Sequence, residues 1–447
     1  MGCISINLRV SALVLCGCLL SPAVLAEPAA DYEDWNAKFQ STYNWQRHPS
    51  YHAAYSGPNS LTAGAEKMYT FSATAMLGLR PWTGGEVYLD AEVVQGVPFT
   101  GNLAGLGGFT NGEITRAAGT SPSVYRQRLF VRQTWNQGNG SEKLASDQNQ
   151  LAGSVDKNRT VLTVGNFSTL DMFDGNTYAK DPRTQFMNWS NWTYAAYDYA
   201  ADARGFGWGA ALEWYRDDWV WRLGRMSGPK QPNGEAVDLA LGKHYGDQIE
   251  MEHDHTLLAR AGKVRVLAWR NRAVLASYND ALAYLIAHPG TDPQSFFKVR
   301  DGERNKYGIG INLEQAVSDD LGLFLRAMKA DGKTETQAFT EVDGSLSVGL
   351  TVKATAWGRT QDTVGVALAR NTISEARRRF LAAGGISFFI GDGALNYGAE
   401  TIVEAYYNLD AGHGIHMTAD YQRIANPAYN SDRGPVNVFA LRVHTEF

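Results

Sequence analysis

The chain has 447 residues with 41 basic and 46 acidic side chains, a formal charge of −5, and 44% apolar, 19% charged and 11% aromatic residues. The aromatic content excludes a disordered chain, and the acidic balance without a Lys/Arg run excludes a basic nucleic-acid binder. Mean hydropathy is −0.30 and no apolar run of about 18 residues follows the N-terminal segment, which excludes a bundle of membrane helices.

Met1–Ala26 reads as a secretory signal. It has one charge (Arg9), an apolar run from about Val10 to Leu20, and a small-residue cleavage site ending Ala23-Val24-Leu25-Ala26. Leu15-Cys16-Gly17-Cys18 is a poor lipobox match. Cys3, Cys16 and Cys18 all lie in this segment, so disulfides and cysteine-based zinc sites are excluded from residues 27–447, read as one domain.

Beyond Ala26 the dominant pattern is two-residue alternation. Val87, Leu89, Ala91 and Val93 interleave with Glu86, Tyr88, Asp90 and Glu92. Leu346, Val348, Leu350 and Val352 interleave with small and polar residues. Ile415, Met417, Ala419 and Tyr421 interleave with His416, Thr418, Asp420 and Gln422. Each run is a strand with one apolar and one polar face. The expected strands lie near 35–46, 68–80, 86–95, 124–135, 161–167, 204–215, 219–226, 246–256, 263–272, 305–315, 321–330, 342–356, 363–370, 400–409, 415–424 and 436–447. That is sixteen, or eighteen if Glu375–Ile390 supplies a strand pair rather than a helix inside a loop.

Tight turns are expected at Thr83-Gly84-Gly85, Asp217-Asp218, Ser318-Asp319-Asp320 and Asp410 to Gly414. Long polar segments alternate with them: Gln46–Met68, Gly96–Ser123, Ser168–Ala203 and Ala273–Asn305. Short turns on one side and long loops on the other suit an antiparallel transmembrane β-barrel, turns toward the periplasm and loops outside. A soluble β-sandwich or propeller would alternate equally well. Three features favour the membrane: aromatics near strand ends (Trp35, Trp45, Trp82, Trp135, Trp214, Tyr215, Trp219, Trp221), the absence of cysteine, and a last strand that alternates Phe439, Leu441, Val443 before Phe447. Such a terminal aromatic looks like the signal read by the barrel-assembly machinery.

Candidate lumen residues follow from cost. Arg126, Arg128 and Arg132 fall on one face of the 124–135 strand with Phe130. An arginine facing lipid near the midplane costs about 2–4 kcal/mol, so these should face the lumen. Glu86, Asp90 and Glu92 on the neighbouring strand then make an acidic wall against a basic one. Such walls would either orient hydroxyl-rich solutes through planar hydrogen-bonding groups or pair and stiffen the barrel. The segment Asn166–Trp189 holds Asp171, Asp174 and Trp189; folded inward it would narrow the channel, with aromatic faces for sugar rings. Its alternative is an ordinary surface loop. Glu252-His253-Asp254-His255 puts two histidines on one face, better explained as a solvated strand end than as a metal pair. Metalloprotease, nucleophile-elbow and P-loop patterns are absent, and the expectation is no enzyme, no cofactor and no metal.

Short motifs spread along the chain carry a resemblance: Tyr55–Leu61, Gln95–Phe99, Gly107–Glu113, Tyr125–Phe130, Asp181–Asn188, Ala200–Gly205, Ala425–Asn430 and Asp432–Val436. In these the chain resembles the carbohydrate-selective porins of the OprB type. The resemblance implies a bacterial outer-membrane barrel of sixteen strands passing monosaccharides such as glucose by facilitated diffusion, through a constriction of charged and aromatic residues. Carried onto matching positions it nominates Glu113 with Arg126, Arg128, Asp171, Asp174 and Trp189. The implied partners are small carbohydrates, outer-membrane lipid and lipopolysaccharide, and the assembly machinery through Phe447. There is no nucleic acid, and the chain would be a monomer or homotrimer. The competing expectation is a general or small-nutrient porin for anions or amino acids.

Overall fold

The computed structural model describes residues 32–114, 119–291 and 293–447; the expected signal segment lies outside them. Two-residue alternation becomes strands throughout: β1 (Trp35–His48), β2 (Glu66–Trp82), β3 (Gly85–Val97), β4 (Gly119–Asn136), β5 (Ser141–Leu144), β6 (Gly153–Asp156), β7 (Arg159–Phe167), β8 (Gly207–Arg216), β9 (Trp219–Met226), β10 (Tyr245–Leu257), β11 (Arg260–Val274), β12 (Glu303–Ala316), β13 (Leu321–Ala330), β14 (Gly344–Ala354), β15 (Arg359–Thr372), β16 (Glu400–Gly412), β17 (Ile415–Ala425) and β18 (Val436–Glu446). Sixteen of these close into one barrel of neighbouring strands, β1 pairing with both β2 and β18, while β5 and β6 form a separate ribbon. Every pairing is antiparallel. Phe447 completes the seam through two backbone hydrogen bonds with Phe39.

Burial distinguishes the barrel from a soluble one. On β14, Leu346 and Val348 are 46% and 43% exposed while Ser347 between them is 2% exposed. On β1, the buried face is Gln40, Thr42, Asn44 and Gln46, and Phe39 and Tyr43 point outward. Apolar side chains thus face outward and polar ones inward, the inversion that lipid imposes. Trp35, Trp82, Trp135, Trp214, Trp219 and Trp221 are exposed near the end of the barrel that carries the tight turns, as an interfacial aromatic belt requires.

The tight turns form where expected. At Gly84 the backbone is left-handed (φ 73°) and an added Cβ would sit 2.3 Å from the Thr134 carbonyl oxygen, so the position demands glycine. The connection between β4 and β7, on the turn side, is long. Residues 137–158 carry the β5–β6 ribbon, and their central part turns back into the barrel mouth. Glu375–Ile390 supplies no strand. It holds the helix α4 (Glu375–Ala382), started by the Ser374 hydroxyl accepting from the Arg377 amide, so the barrel count stays at sixteen. Among the described residues the other α-helices are α1 (Trp189–Trp192), α2 (Tyr278–Ala287) and α3 (Phe296–Val299). No described helix is long and apolar enough to cross a membrane.

The long loops cover the opposite end and fill much of the interior. Residues 168–206, between β7 and β8, run through the lumen, and most of the side chains from Phe186 to Ala201 are buried. Arg377 of α4, fully buried, donates to Glu341 (2.6 Å) and Asp343 (2.9 Å) and lies over the Tyr278 ring, tying α4, α2 and the 331–343 loop together.

Candidate channel constriction

The inward loop is fixed by carboxylates on the lumen wall and by a buried aromatic core. Wall glutamates accept backbone amides of the loop: Glu250 from Asp174 (2.9 Å), Glu314 from Thr177 (2.7 Å), and Glu404 from Met187 and Asn188 (2.6 and 3.0 Å). Glu400 does the same for other loops, accepting from Gly107, Gly108 and Ala428 (2.8, 2.9 and 2.9 Å). Cβ atoms at Gly107 and Gly108 would lie 2.4 Å from the Tyr429 hydroxyl and 2.2 Å from the Ser190 hydroxyl, so the Gly107-Gly108 pair is a close-approach requirement. These wall glutamates were not singled out in the sequence. Their signal was there: Glu250, Glu314, Glu400 and Glu404 all sit on the polar side of alternating runs.

Asp174 is the loop's central anchor. It is 0% exposed and accepts from Arg326 Nε (2.8 Å), Asn312 (2.6 Å), the Thr193 hydroxyl (2.8 Å) and the Tyr194 amide (3.2 Å). Its place is in the packing of the loop, away from the open lumen. Trp189 corrects the sequence reading in the same way. It is 2% exposed, stacked on Phe339 and edge-on to Trp192 and Phe109, so its faces are covered by protein.

The charged side chains of β3 and β4 pair with one another instead of standing as two opposed faces. Arg128 donates bidentately to Asp171 (2.8 and 2.7 Å) and once to Asp90 (3.1 Å). Burial pushes the Asp171 carboxyl up, but the Arg128 guanidinium outweighs this and holds it below the ordinary carboxylate value. Arg132 meets Glu86 at 3.5 Å, and Glu86 also accepts from Arg80 (2.9 Å) and the Tyr88 hydroxyl (2.9 Å). Arg183 of the inward loop bridges Glu113 (2.6 Å) and Glu92 (3.2 Å), and Glu92 takes a further bond from Tyr125. Charges are therefore paired laterally, strand to strand and strand to loop. Arg80 and Arg183 were missed, the first because it sits near a turn, the second because a loop has no periodicity to expose it.

Arg126 is a further correction. β3 and β4 change register between Asp90 and Ala91: Asp90 pairs with Arg128, Ala91 with Arg126, and Gln127 is the extra residue. This bulge reverses the alternation above it. Arg126 is carried to the outer face, exposed, with its guanidinium 5.1 Å from the Trp208 ring, and Tyr125 takes the lumen position.

Among the charged groups that stay partly exposed inside are Arg128, Arg132, Asp171, Lys180 and Arg183, beside Glu86 and Asp181. Lys180 donates to the carbonyls of Phe173 and Asp174 (3.0 and 3.1 Å), and burial pulls its ammonium down to about 8. His253 stacks on Trp219, while His255 meets Gln315. Among the described residues no three His, Cys, Asp or Glu side chains are grouped to hold a metal ion.

The barrel fold has counterparts among solved structures. The structure is similar to that of Pseudomonas putida OprB at high pH, with a TM-score of 0.64 at 14% identity, covering 93% of this chain and 94% of that one. It is also similar to the outer-membrane channel DcaP of Acinetobacter baumannii, with a TM-score of 0.50 at 9% identity, covering 93% and 97%. No curated protein sequence matches significantly. Residues 61–447 match the family described as carbohydrate-selective porin, OprB family. The chain therefore belongs to the OprB family of carbohydrate-selective porins, channels of the bacterial outer membrane.

Proposed function

We propose that the solute is a monosaccharide such as glucose, moved by facilitated diffusion with no bond made or broken. The supporting observation is the partly exposed group Arg128, Asp171, Arg183 and Lys180, where the inward loop meets the β3–β4 wall. Each guanidinium is already held by carboxylates, so its remaining N–H groups have fixed directions. Fixed donors beside carboxylate acceptors suit a ring of hydroxyls, each of which both donates and accepts. Asp90, Glu92 and Glu113 orient this group, and Arg132 and Glu86 pair beside it. Asp174 and Trp189 hold the loop that narrows the lumen, and Arg126 has no part in it. Phe447, hydrogen-bonded at the barrel seam, is the residue the assembly machinery would read, and the channel works as a single barrel whether monomeric or trimeric.

Liposome swelling with refolded protein tests this, comparing glucose, a disaccharide, an amino acid and an uncharged non-sugar of glucose size. Glucose should permeate faster than the size-matched control. Equal rates for all small solutes would replace the proposal with a general small-nutrient porin. No permeation from folded protein would remove the passive-channel reading.

A further inference from the structure

The outer wall carries a second organised site, at the end of the barrel bearing the long loops. One row of paired outward-facing residues runs Arg225–Asp247–Arg270–Tyr307 across β9 to β12. The paired row two residues toward the membrane middle runs Leu212–Leu223–Ile249–Ala268. The two rows line a single groove of about 680 Å³ in the outer face, floored by the short side chains Ala210 and Ala268. Its polar edge faces the loops and its apolar bed faces the hydrocarbon.

The polar edge is incompletely neutralised. Asp247 is shared by two guanidiniums: Arg225 donates bidentately (2.7 and 3.0 Å) and Arg270 once (2.7 Å). Arg225 also lies 4.0 Å from the Tyr245 ring centroid, and Arg270 donates to the Tyr245 hydroxyl (3.0 Å). Both arginine side chains stay exposed, at 46% and 40%, on a surface that otherwise meets lipid. One carboxylate between two guanidiniums leaves a net positive charge with N–H donors to spare.

We propose that this groove binds a phosphate-bearing, acylated lipid of the outer leaflet, its phosphate on Arg225 and Arg270 and an acyl chain along Leu212, Leu223, Ile249 and Ala268. The order of the groove, charge toward the loops and apolar surface toward the membrane middle, is the order of such a lipid in that leaflet. Guanidinium forks match phosphate geometry. A second copy of the chain is the rival occupant, but this same patch on a like barrel would bring the excess positive charge near itself.

The test is native mass spectrometry of the full chain in detergent, titrated with bisphosphorylated lipid A, its dephosphorylated counterpart and phosphatidylglycerol. Binding of the bisphosphorylated form should exceed the dephosphorylated form by roughly tenfold, the worth of one charge-assisted contact. Phosphatidylglycerol bound as well as lipid A would support recognition of the phosphate alone; weaker binding would support recognition of the glycolipid. Arg225→Gln with Arg270→Gln should bring the ratio to one, and Ala268→Trp, which fills the groove, should weaken both lipid A forms. Arg225→Lys with Arg270→Lys keeps the charge and should keep the preference, and heat-modifiable migration on gels verifies that every variant is folded. Equal binding of both forms by the unaltered protein, or an unchanged ratio in the double Gln variant, overturns the proposal. So does a dimer that Ala268→Trp dissociates with no lipid bound.

Discussion

Two segments enter this barrel from opposite ends, and they are held by different physics. Residues 168–206 come from the loop end with their own aromatic core and a buried ion pair, Asp174 to Arg326, both nearly inaccessible. Residues 137–158 come from the turn end and rest on scattered hydrogen bonds, with Ala152 held by Arg80 and Glu33 and Leu151 packed in the core. Asn149 donates to Asp90 (3.0 Å), Arg132 to the Asn149 carbonyl (3.0 Å), Gln148 to Gln40 and Glu446 (3.0 and 3.2 Å), and the Leu151 amide to the Tyr88 hydroxyl (3.1 Å). Leu151 and Ala152 are buried, while Ala145 to Gln150 keep partial or full exposure. Where water competes for the partners, a hydrogen bond contributes little net stability; where it is excluded, losing one partner strands the other. The first segment is thus part of the barrel's packing, and residues 145–150 of the second are the more weakly held attachment, being partly exposed.

The sharpest way to break this contrast is to remove the buried anchor. Asp174→Ala leaves the Arg326 guanidinium buried without its carboxylate, at about 3–5 kcal/mol. The loop should detach, raising single-channel conductance in planar bilayers and erasing glucose preference in swelling assays. Asp174→Leu with Arg326→Met removes the stranded guanidinium and should recover only that part of the loss, because Asn312, Thr193 and the Tyr194 amide still lose their acceptor. Unchanged conductance in Asp174→Ala would show that the loop is held by its aromatic core alone.

Next in size is Arg128→Ala, at the boundary between the loop and the β3–β4 wall. A hydrogen bond to a charged group contributes about 1.5–3 kcal/mol. Partial exposure of Arg128 favours the lower end, roughly a tenfold loss of preference for glucose over a size-matched control. Barrel stability, followed by gel migration against temperature, should fall far less than in Asp174→Ala. Arg126→Ala, facing outward, should leave permeation unchanged, and a loss there would contradict the bulge at Gln127.

Lys180 sharpens the contrast through pH. Its ammonium titrates near 8 in the folded protein, against about 10.4 when unfolded. Between these values the unfolded state binds more protons, so this group's contribution to stability rises with pH through that window and is flat below 8. The lumen meanwhile loses one positive charge. The bilayer reversal potential in a salt gradient should shift toward cation selectivity between pH 7 and 9, and Lys180→Met should show the shifted value at both pH values.

Sequence reading succeeded where one rule repeats. Alternation located all sixteen barrel strands because every strand obeys the same inside–outside partition, and residues such as Ser347 or Thr42 have no other reason to sit between apolar neighbours. It failed where a single residue breaks the repeat. One extra residue at Gln127 moves Arg126 outward, and no local composition announces it. It failed again inside the loop. Trp189 and Asp174 have the chemistry of sugar-binding residues, but whether they line space or fill it depends on Phe339, Trp192 and Arg326, which arrive from elsewhere in the chain. The wall glutamates were readable as lumen residues, yet their partners are backbone amides, which leave no mark in a sequence.

The smallest expected effect lies at residues 145–150. Asn149→Ala removes one amide donor from Asp90 at a partly exposed site, a change of about 0.5–1.5 kcal/mol. Asp90 keeps Arg128, and Asn149's carbonyl keeps Arg132, so the barrel should melt as before. The change should instead be local: faster amide exchange at residues 145–152, with none at 168–206. Gln148→Ala at the other attachment should speed exchange over the same residues 145–152 and leave 168–206 unchanged. If either substitution speeds exchange in both segments, the two are one cooperative unit, and the distinction between a packed constriction and a weakly held attachment is lost.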